Sequence, residues 1–119
     1  MKARLQQLYR EALVWDAHAG VFPSPGVDLN LLDEWQQAGA SYVSINVGFD
    51  VMEWQDTLAT LAAYRRWLLD HGDRFVLVSD TSDIDRARNT GKFALSFDIE
   101  GMNALNGDIN MVSLYHALG

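Results

Sequence analysis

Residues 91–101 read GKFALSFDIEG, an apolar run that is bounded by glycines and ends in two acidic side chains. The run predicts a β-strand over residues 92–99 that carries Glu100 and Gly101 at its carboxyl end. Three shorter strand patterns precede it, at residues 13–16, 41–47 and 75–78. The chain is therefore predicted to contain four strands, the last of which ends in polar groups suited to chemistry.

Apolar residues at helical spacing separate these strands. Helices are predicted at residues 3–11, 29–39, 52–70, 81–88 and 109–118, the second capped by Asp28 and the fourth by Thr81 or Ser82. Because parallel strands need a crossover and a helix is the usual one, this alternation predicts an α/β fold with a parallel sheet. We expect residues 1–119 to form a single domain.

Composition excludes several classes of function. The formal net charge is -7 and no basic stripe is present, which argues against a nucleic-acid partner. The longest apolar runs have the length of strands, so no membrane span is predicted, and a cytoplasmic location is the expectation. The chain has no cysteine, which leaves only His, Asp and Glu as ligands for a metal such as zinc.

Candidate chemical groups lie at the carboxyl ends of the predicted strands. Parallel strands bring these ends to one edge, so we expect residues 16–20, 46–50 and 98–101 to converge there. His18 supplies an imidazole and Glu100 a carboxylate, a combination suited to Zn²⁺ or a similar ion. The alternative is a hydrogen-bonded histidine beside a strand and a solvated carboxylate in a turn.

Several segments resemble the membrane dipeptidase (renal dipeptidase, peptidase M19) family of the amidohydrolase superfamily. Residues 14–20, VWDAHAG, resemble its first-strand segment Asp-Gly-His-Asn-Asp, and residues 91–101 resemble its Gly-Lys-hydrophobic-Ile-Glu-Gly segment. Residues 84–87 and 114–119 match further family segments in the same order. The resemblance implies a (β/α)8 TIM-barrel metallohydrolase that cleaves dipeptides at a binuclear zinc centre. A complete barrel needs at least about 200 residues, so the chain is expected to be its N-terminal part.

The resemblance also implies roles for individual residues. His18 would bind one metal, and Glu100 would bridge two metals and position the attacking water. Strand alternation, and not the resemblance, places Asp98 on the same face as Glu100 and makes it a candidate hydrogen-bonding partner in catalysis. The alternative for Asp98 is a surface carboxylate near a turn. Asp16 would orient the imidazole through its second nitrogen. The loop aromatics Phe22 and Phe49 are the candidates for lining a pocket for a small peptide or amide substrate.

One position departs from the family pattern. The family has an aspartate ligand two residues after the first-strand histidine, and this chain has Gly20 there. The histidine ligands of later strands have no counterpart, and His71 and His116 are assigned structural roles. The 119-residue chain is therefore expected to be inactive alone, with one or two zinc ions in the full-length protein. The alternative is an inactive barrel or binding module without its metal centre.

A barrel cut part-way also leaves an open sheet edge and uncovered apolar helix faces. Such surfaces favour self-association, so homo-oligomers are expected.

Overall fold

The computed structural model describes residues 2–119. Its four strands are β1 (Trp15–Ala19), β2 (Tyr42–Phe49), β3 (Phe75–Leu77) and β4 (Phe93–Glu100). They form one parallel sheet in the order β1-β2-β4-β3. This confirms the predicted α/β class, and it brings the carboxyl ends of β1, β2 and β4 to the same edge.

The described residues contain five helices, of which the middle three connect the strands. They are α1 (Lys2–Glu11), α2 (Leu32–Ala38), α3 (Trp54–Asp70), α4 (Thr81–Asn89) and α5 (Met111–Leu118), with 3-10 turns at Leu29–Leu31 and Asn103–Leu105. Asp28 caps the first 3-10 turn as predicted, because its carboxylate accepts from the backbone N–H of Asn30. None of the helices within residues 2–119 is long and apolar enough to cross a bilayer.

The predicted cap of α4 is wrong. Asp80, one residue before Thr81, caps the helix by accepting from the backbone N–H of Ser82, and Asp83 completes a capping box. A carboxylate accepts several hydrogen bonds at once, and here Asp80 also accepts from the Ser82 hydroxyl at 2.5 Å. Asp80 and Asp83 therefore stabilise the N-terminus of α4.

The two faces of β4 carry different partners. Phe93 and Leu95 share a buried cluster with Leu61 and Tyr64 of α3. The alternate residue Ala94 belongs to a second cluster, which contains Ile84 and Ala87 of α4. Side chains alternate along a strand, so Ser96, Asp98 and Glu100 follow Ala94 on the face opposite α3.

The position of β3 differs from a simple sequential order. β2 pairs directly with β4, whereas the three-residue β3 pairs with the first half of the other edge of β4, at residues 93–95. Further along that edge, the backbone N–H of Phe97 donates to the carbonyl of Gly119 at 2.8 Å. β3 is therefore a short addition beside β4, and the site edge is built from β1, β2 and β4.

Strand β1 begins and ends later than predicted. The sequence placed it at residues 13–16, but its pairing with β2 extends it to Ala19, through the partners Asp16–Val43 and Ala19–Ile45. The extension has a tertiary cause, since the added residues are held by β2 rather than by their own apolar pattern. As a result His18 lies within β1 and not after it.

Candidate metal centre at the carboxyl ends of the strands

His18 lies at an irregularity in β1. The register with β2 shifts between Asp16 and Ala19, as in a β-bulge, and bulges commonly redirect a side chain next to a functional site. The His18 imidazole reaches across β2 to β4, where its Nδ1 lies 2.8 Å from Oδ1 of Asp98 and its Nε2 lies 3.8 Å from Oε2 of Glu100. The structure thus brings these three predicted site residues together.

Asp98 and Glu100 are two residues apart on β4 and face the same side, as period-two alternation predicted. Asp98 is the better buried of the two, with 25% of its side chain exposed against 68% for Glu100. The second oxygen of Asp98, Oδ2, accepts a hydrogen bond from the Ser44 hydroxyl at 2.6 Å. Both oxygens of Asp98 are therefore engaged, whereas Glu100 presents its carboxylate to solvent.

Asp50, in the loop after β2, holds the turn that follows β4 by hydrogen bonds to its backbone. The Asp50 carboxylate accepts from the backbone N–H groups of Met102 at 2.6 Å and Asn103 at 2.9 Å. Between them and Glu100 lies Gly101, whose φ is +91°, and a Cβ at Gly101 would stand 2.1 Å from the Asp50 carboxylate. Glycine is required for both reasons, and the turn that it forms places Glu100. Asp50 lies within the predicted site region 46–50, but its sequence position indicates no role for it.

The carboxylates around His18 change its titration. The hydrogen bond that the imidazole donates to Asp98, followed by the charges of Asp98, Glu100 and Asp16, raises the pKa of the His18 imidazole above its ordinary value of 6.5, although desolvation opposes the shift. The electrostatics therefore favour a cation at this place, whether a proton or a metal ion. The two compete for the imidazole, since only its neutral form binds metal.

The predicted partner of the imidazole is corrected. Asp16 contacts neither ring nitrogen: its Oδ1 accepts from the backbone N–H of His18 at 3.2 Å, and its Oδ2 accepts from Nε1 of Trp35 at 2.8 Å. The bulge in β1 turns the ring away from Asp16 and toward β4. Asp98 occupies the position that the sequence had assigned to Asp16.

The predicted pocket aromatics lie together. The rings of Phe22 and Phe49 meet edge to face with centroids 5.8 Å apart, and they border a cavity of about 440 Å³ with Glu53 and Asp56 on its rim. Phe22 is 72% exposed, so its ring is available to a ligand. Their role in substrate binding stays a prediction.

The site residues fit part of a zinc centre. Two ligand atoms on a tetrahedral zinc ion lie roughly 3.4 Å apart, close to the 3.8 Å that separates His18 Nε2 from Glu100 Oε2. When Nδ1 donates to Asp98, the lone pair of Nε2 is left free for a metal, the usual carboxylate–histidine–metal arrangement. Within residues 2–119 no group of three His, Asp or Glu side chains is placed to hold one metal ion, so His18 and Glu100 would supply two positions of such a centre.

The other histidines stand apart from this pair. Nδ1 of His71 lies 2.7 Å from the carbonyl of Trp67, and the two rings stack at 4.0 Å, as the predicted structural role requires. His116 lies in α5.

Comparison with known proteins supports the fold and the family. No curated protein matches the sequence significantly. The structure of an amidohydrolase from Pseudomonas aeruginosa is similar at 21% sequence identity with a TM-score of 0.80, over 96% of this chain and 34% of that one. This confirms the predicted fold, part of a (β/α)8 barrel, and the chain spans about a third of that protein's length.

The sequence pattern of one family, described as membrane dipeptidase (peptidase family M19), matches residues 26–119. The matched range includes Asp98 and Glu100 and begins after His18, whose place in the site therefore rests on its contacts. The match confirms the resemblance inferred from the sequence, and the chain belongs to the membrane dipeptidase family.

Proposed function

We propose that this chain supplies the first part of a zinc-dependent dipeptidase centre that hydrolyses small peptides or related amides. The observation that carries the proposal is the approach of His18 Nε2 to Glu100 Oε2, at 3.8 Å, with Asp98 on the other ring nitrogen. Membership of a hydrolase family gives the reaction class, and the donor pair gives the metal chemistry.

Each residue has a distinct task in this proposal. A bound zinc ion would lower the pKa of a water molecule toward about 7 and polarise the scissile carbonyl. His18 would hold the ion through Nε2, while Asp98 keeps the ring oriented through Nδ1. Glu100, which is the most exposed of the three, would supply a second ligand and would orient the attacking water.

A second candidate is an inactive barrel or binding module of the same fold. Gly20 favours it, because glycine offers no ligand where the family carries an aspartate. Three protein ligands are usual for a catalytic zinc, and residues 2–119 bring only His18 and Glu100 within reach of one ion. Weak zinc binding is therefore expected of this chain even if the proposal is correct.

Equilibrium dialysis against zinc followed by metal analysis separates the two candidates. We expect about one equivalent of weakly bound zinc, its loss in His18→Ala, and its retention in His116→Ala, a matched control on α5. A wild-type chain that binds no zinc, or loss in both variants alike, would contradict the proposal and favour the inactive barrel.

Dipeptide hydrolysis gives the second arm of the test. The 119-residue chain is expected to show little or no turnover, because it brings too few ligands to complete a catalytic zinc site. Clear turnover that disappears in His18→Ala would show that these residues suffice for activity.

A further inference from the structure

A row of hydroxyl groups leads to Asp98 along the face shared by β2 and β4. The hydroxyl oxygens of Tyr42 and Ser96 are 2.5 Å apart, Ser96 Oγ lies 3.5 Å from Ser44 Oγ, and Ser44 Oγ lies 2.6 Å from Asp98 Oδ2. Ser44 and Ser96 are direct partners in the register of the two strands. The row ends at the carboxylate that contacts His18.

The direction of these hydrogen bonds follows from their chemistry. An ionised carboxylate only accepts, so Ser44 donates its single proton to Asp98. Ser44 can then only accept from Ser96, and Ser96, having donated its own proton, can only accept from Tyr42. Every proton of the row points toward Asp98, and the 3.5 Å separation of Ser96 from Ser44 makes that link much weaker than the 2.6 Å bond from Ser44 to Asp98.

We infer that Ser44 is a positioning residue that fixes the Asp98 carboxylate and, through it, the orientation of the His18 ring. The Asp98 side chain turns about two bonds, and half of the His18 side chain is exposed, so their mutual contact alone leaves both free to move together. Ser44 is 5% exposed and lies on β2, one of the two inner strands, so its burial makes it the most constrained of the three. The importance of this positioning for catalysis rests on the proposed function, but the hydrogen bonds from Ser44 to Asp98 and between Asp98 and His18 do not require a metal.

The two serines differ in how strongly they hold the Asp98 carboxylate. Ser44 makes a short, charge-assisted bond to Asp98, whereas Ser96 reaches Ser44 only at 3.5 Å and does not touch the carboxylate. Ser44→Ala and Ser96→Ala remove the same atom from paired positions of adjacent strands. Ser96→Ala is therefore the matched control for a purely structural effect.

The first readout is the tautomer of His18 without metal. In ¹⁵N-labelled protein, long-range correlations from the carbon-bound ring protons distinguish Nδ1–H from Nε2–H at a pH where the ring is neutral. The wild-type chain is expected to show the Nδ1–H form, and Ser44→Ala a mixture of both forms. Ser96→Ala and Ser44→Thr, which keeps the donor, are expected to match the wild type.

The second readout is zinc affinity from competition with a chelator. Loss of an outer partner of a metal-bound histidine costs 10 to 100-fold in affinity, and Ser44 is one bond further out, so a loss of about tenfold is expected for Ser44→Ala. Ser96→Ala is expected to stay within about twofold. Thermal unfolding of all variants shows whether each one folds.

A folded Ser44→Ala variant with the wild-type tautomer overturns the inference, as does a Ser96→Ala or Ser44→Thr variant that perturbs the ring as strongly. If no variant binds zinc but Ser44→Ala still mixes the tautomers, the positioning role stands and the proposed function fails. If zinc binds and the tautomer is unaffected in every variant, the proposed function stands and the positioning role fails.

Discussion

Replacing Gly101 by alanine tests how the end of β4 is held. The left-handed backbone at φ +91° costs a residue with a Cβ about 1–2 kcal/mol. The new Cβ would also stand 2.1 Å from the Asp50 carboxylate, which must move and give up its bonds to Met102 and Asn103. At about 0.5–1.5 kcal/mol for each bond, the total loss of unfolding free energy is roughly 2–5 kcal/mol.

A double-mutant cycle divides this cost into its two parts. In an Asp50→Ala background the two hydrogen bonds are already absent and the carboxylate no longer obstructs the Cβ. Gly101→Ala is then expected to cost only the backbone part, about 1–2 kcal/mol. Gly91→Ala is the matched control, because Gly91 also has a positive φ, +72°, and has nothing within 4 Å of a Cβ position.

Urea unfolding followed by tryptophan fluorescence measures all four proteins and the control. The reasoning is refuted if Gly101→Ala costs no more than Gly91→Ala, or if the costs of Gly101→Ala and Asp50→Ala add within about 0.5 kcal/mol. Either result would mean that the Asp50 carboxylate does not hold the turn after Glu100.

Further outcomes follow from the same contacts. A Cβ added at Gly20 would have nothing within 4 Å, so Gly20→Asp is expected to change the unfolding free energy by no more than about 0.5 kcal/mol. The same variant is expected to bind zinc more tightly in a chelator competition, and weaker binding would contradict this prediction. Zinc affinity is expected to rise about tenfold per pH unit below the pKa of His18 and to level off above it. Since that pKa is raised above 6.5 chiefly by Asp98, Asp98→Asn should move the plateau of zinc affinity to lower pH and weaken zinc binding about 10 to 100-fold. An unchanged pH profile in a competition titration would count against Asp98 as the partner of the His18 ring. Ile109 is 73% exposed and Met102 is 67% exposed, so we expect the chain to self-associate in size-exclusion chromatography. Ile109→Lys is expected to shift the chain toward monomer, and a sharp monomer peak of the wild type would refute this prediction.

The periodic elements could be predicted because local sequence determines them. The apolar run of β4 and the helical stripe of α3 each carry their own signal, and the structure places β4 at Phe93–Glu100 and α3 at Trp54–Asp70. The pairing of Asp98 with Glu100 on one face followed from alternation alone. These features depend on period and not on neighbours.

The parts that escaped prediction all depend on contacts across the fold. The register shift in β1 arises from its pairing with β2, and it separates the His18 ring from Asp16, which is only two residues away. Ser44 and Asp50 are unremarkable in sequence, and only the adjacency of β2 and β4 brings them to Asp98 and to the turn after Glu100. Asp50 had one available signal, its place directly after the carboxyl end of β2, whereas Ser44, the third residue of β2, had none.

The contacts of Asp98 also bear on the missing ligand at Gly20. Asp98 is a carboxylate on β4 near His18, so it is a candidate to replace the aspartate that the family pattern has at residue 20. Yet one oxygen of Asp98 is bound to His18 Nδ1 and the other to Ser44, so neither is directed to a metal at Nε2. In the proposed metal centre, Asp98 therefore orients the His18 ligand and does not replace the absent carboxylate. The two positions are chemically independent, which is why we expect a metal centre without a carboxylate at residue 20 to keep its histidine geometry and to lose affinity.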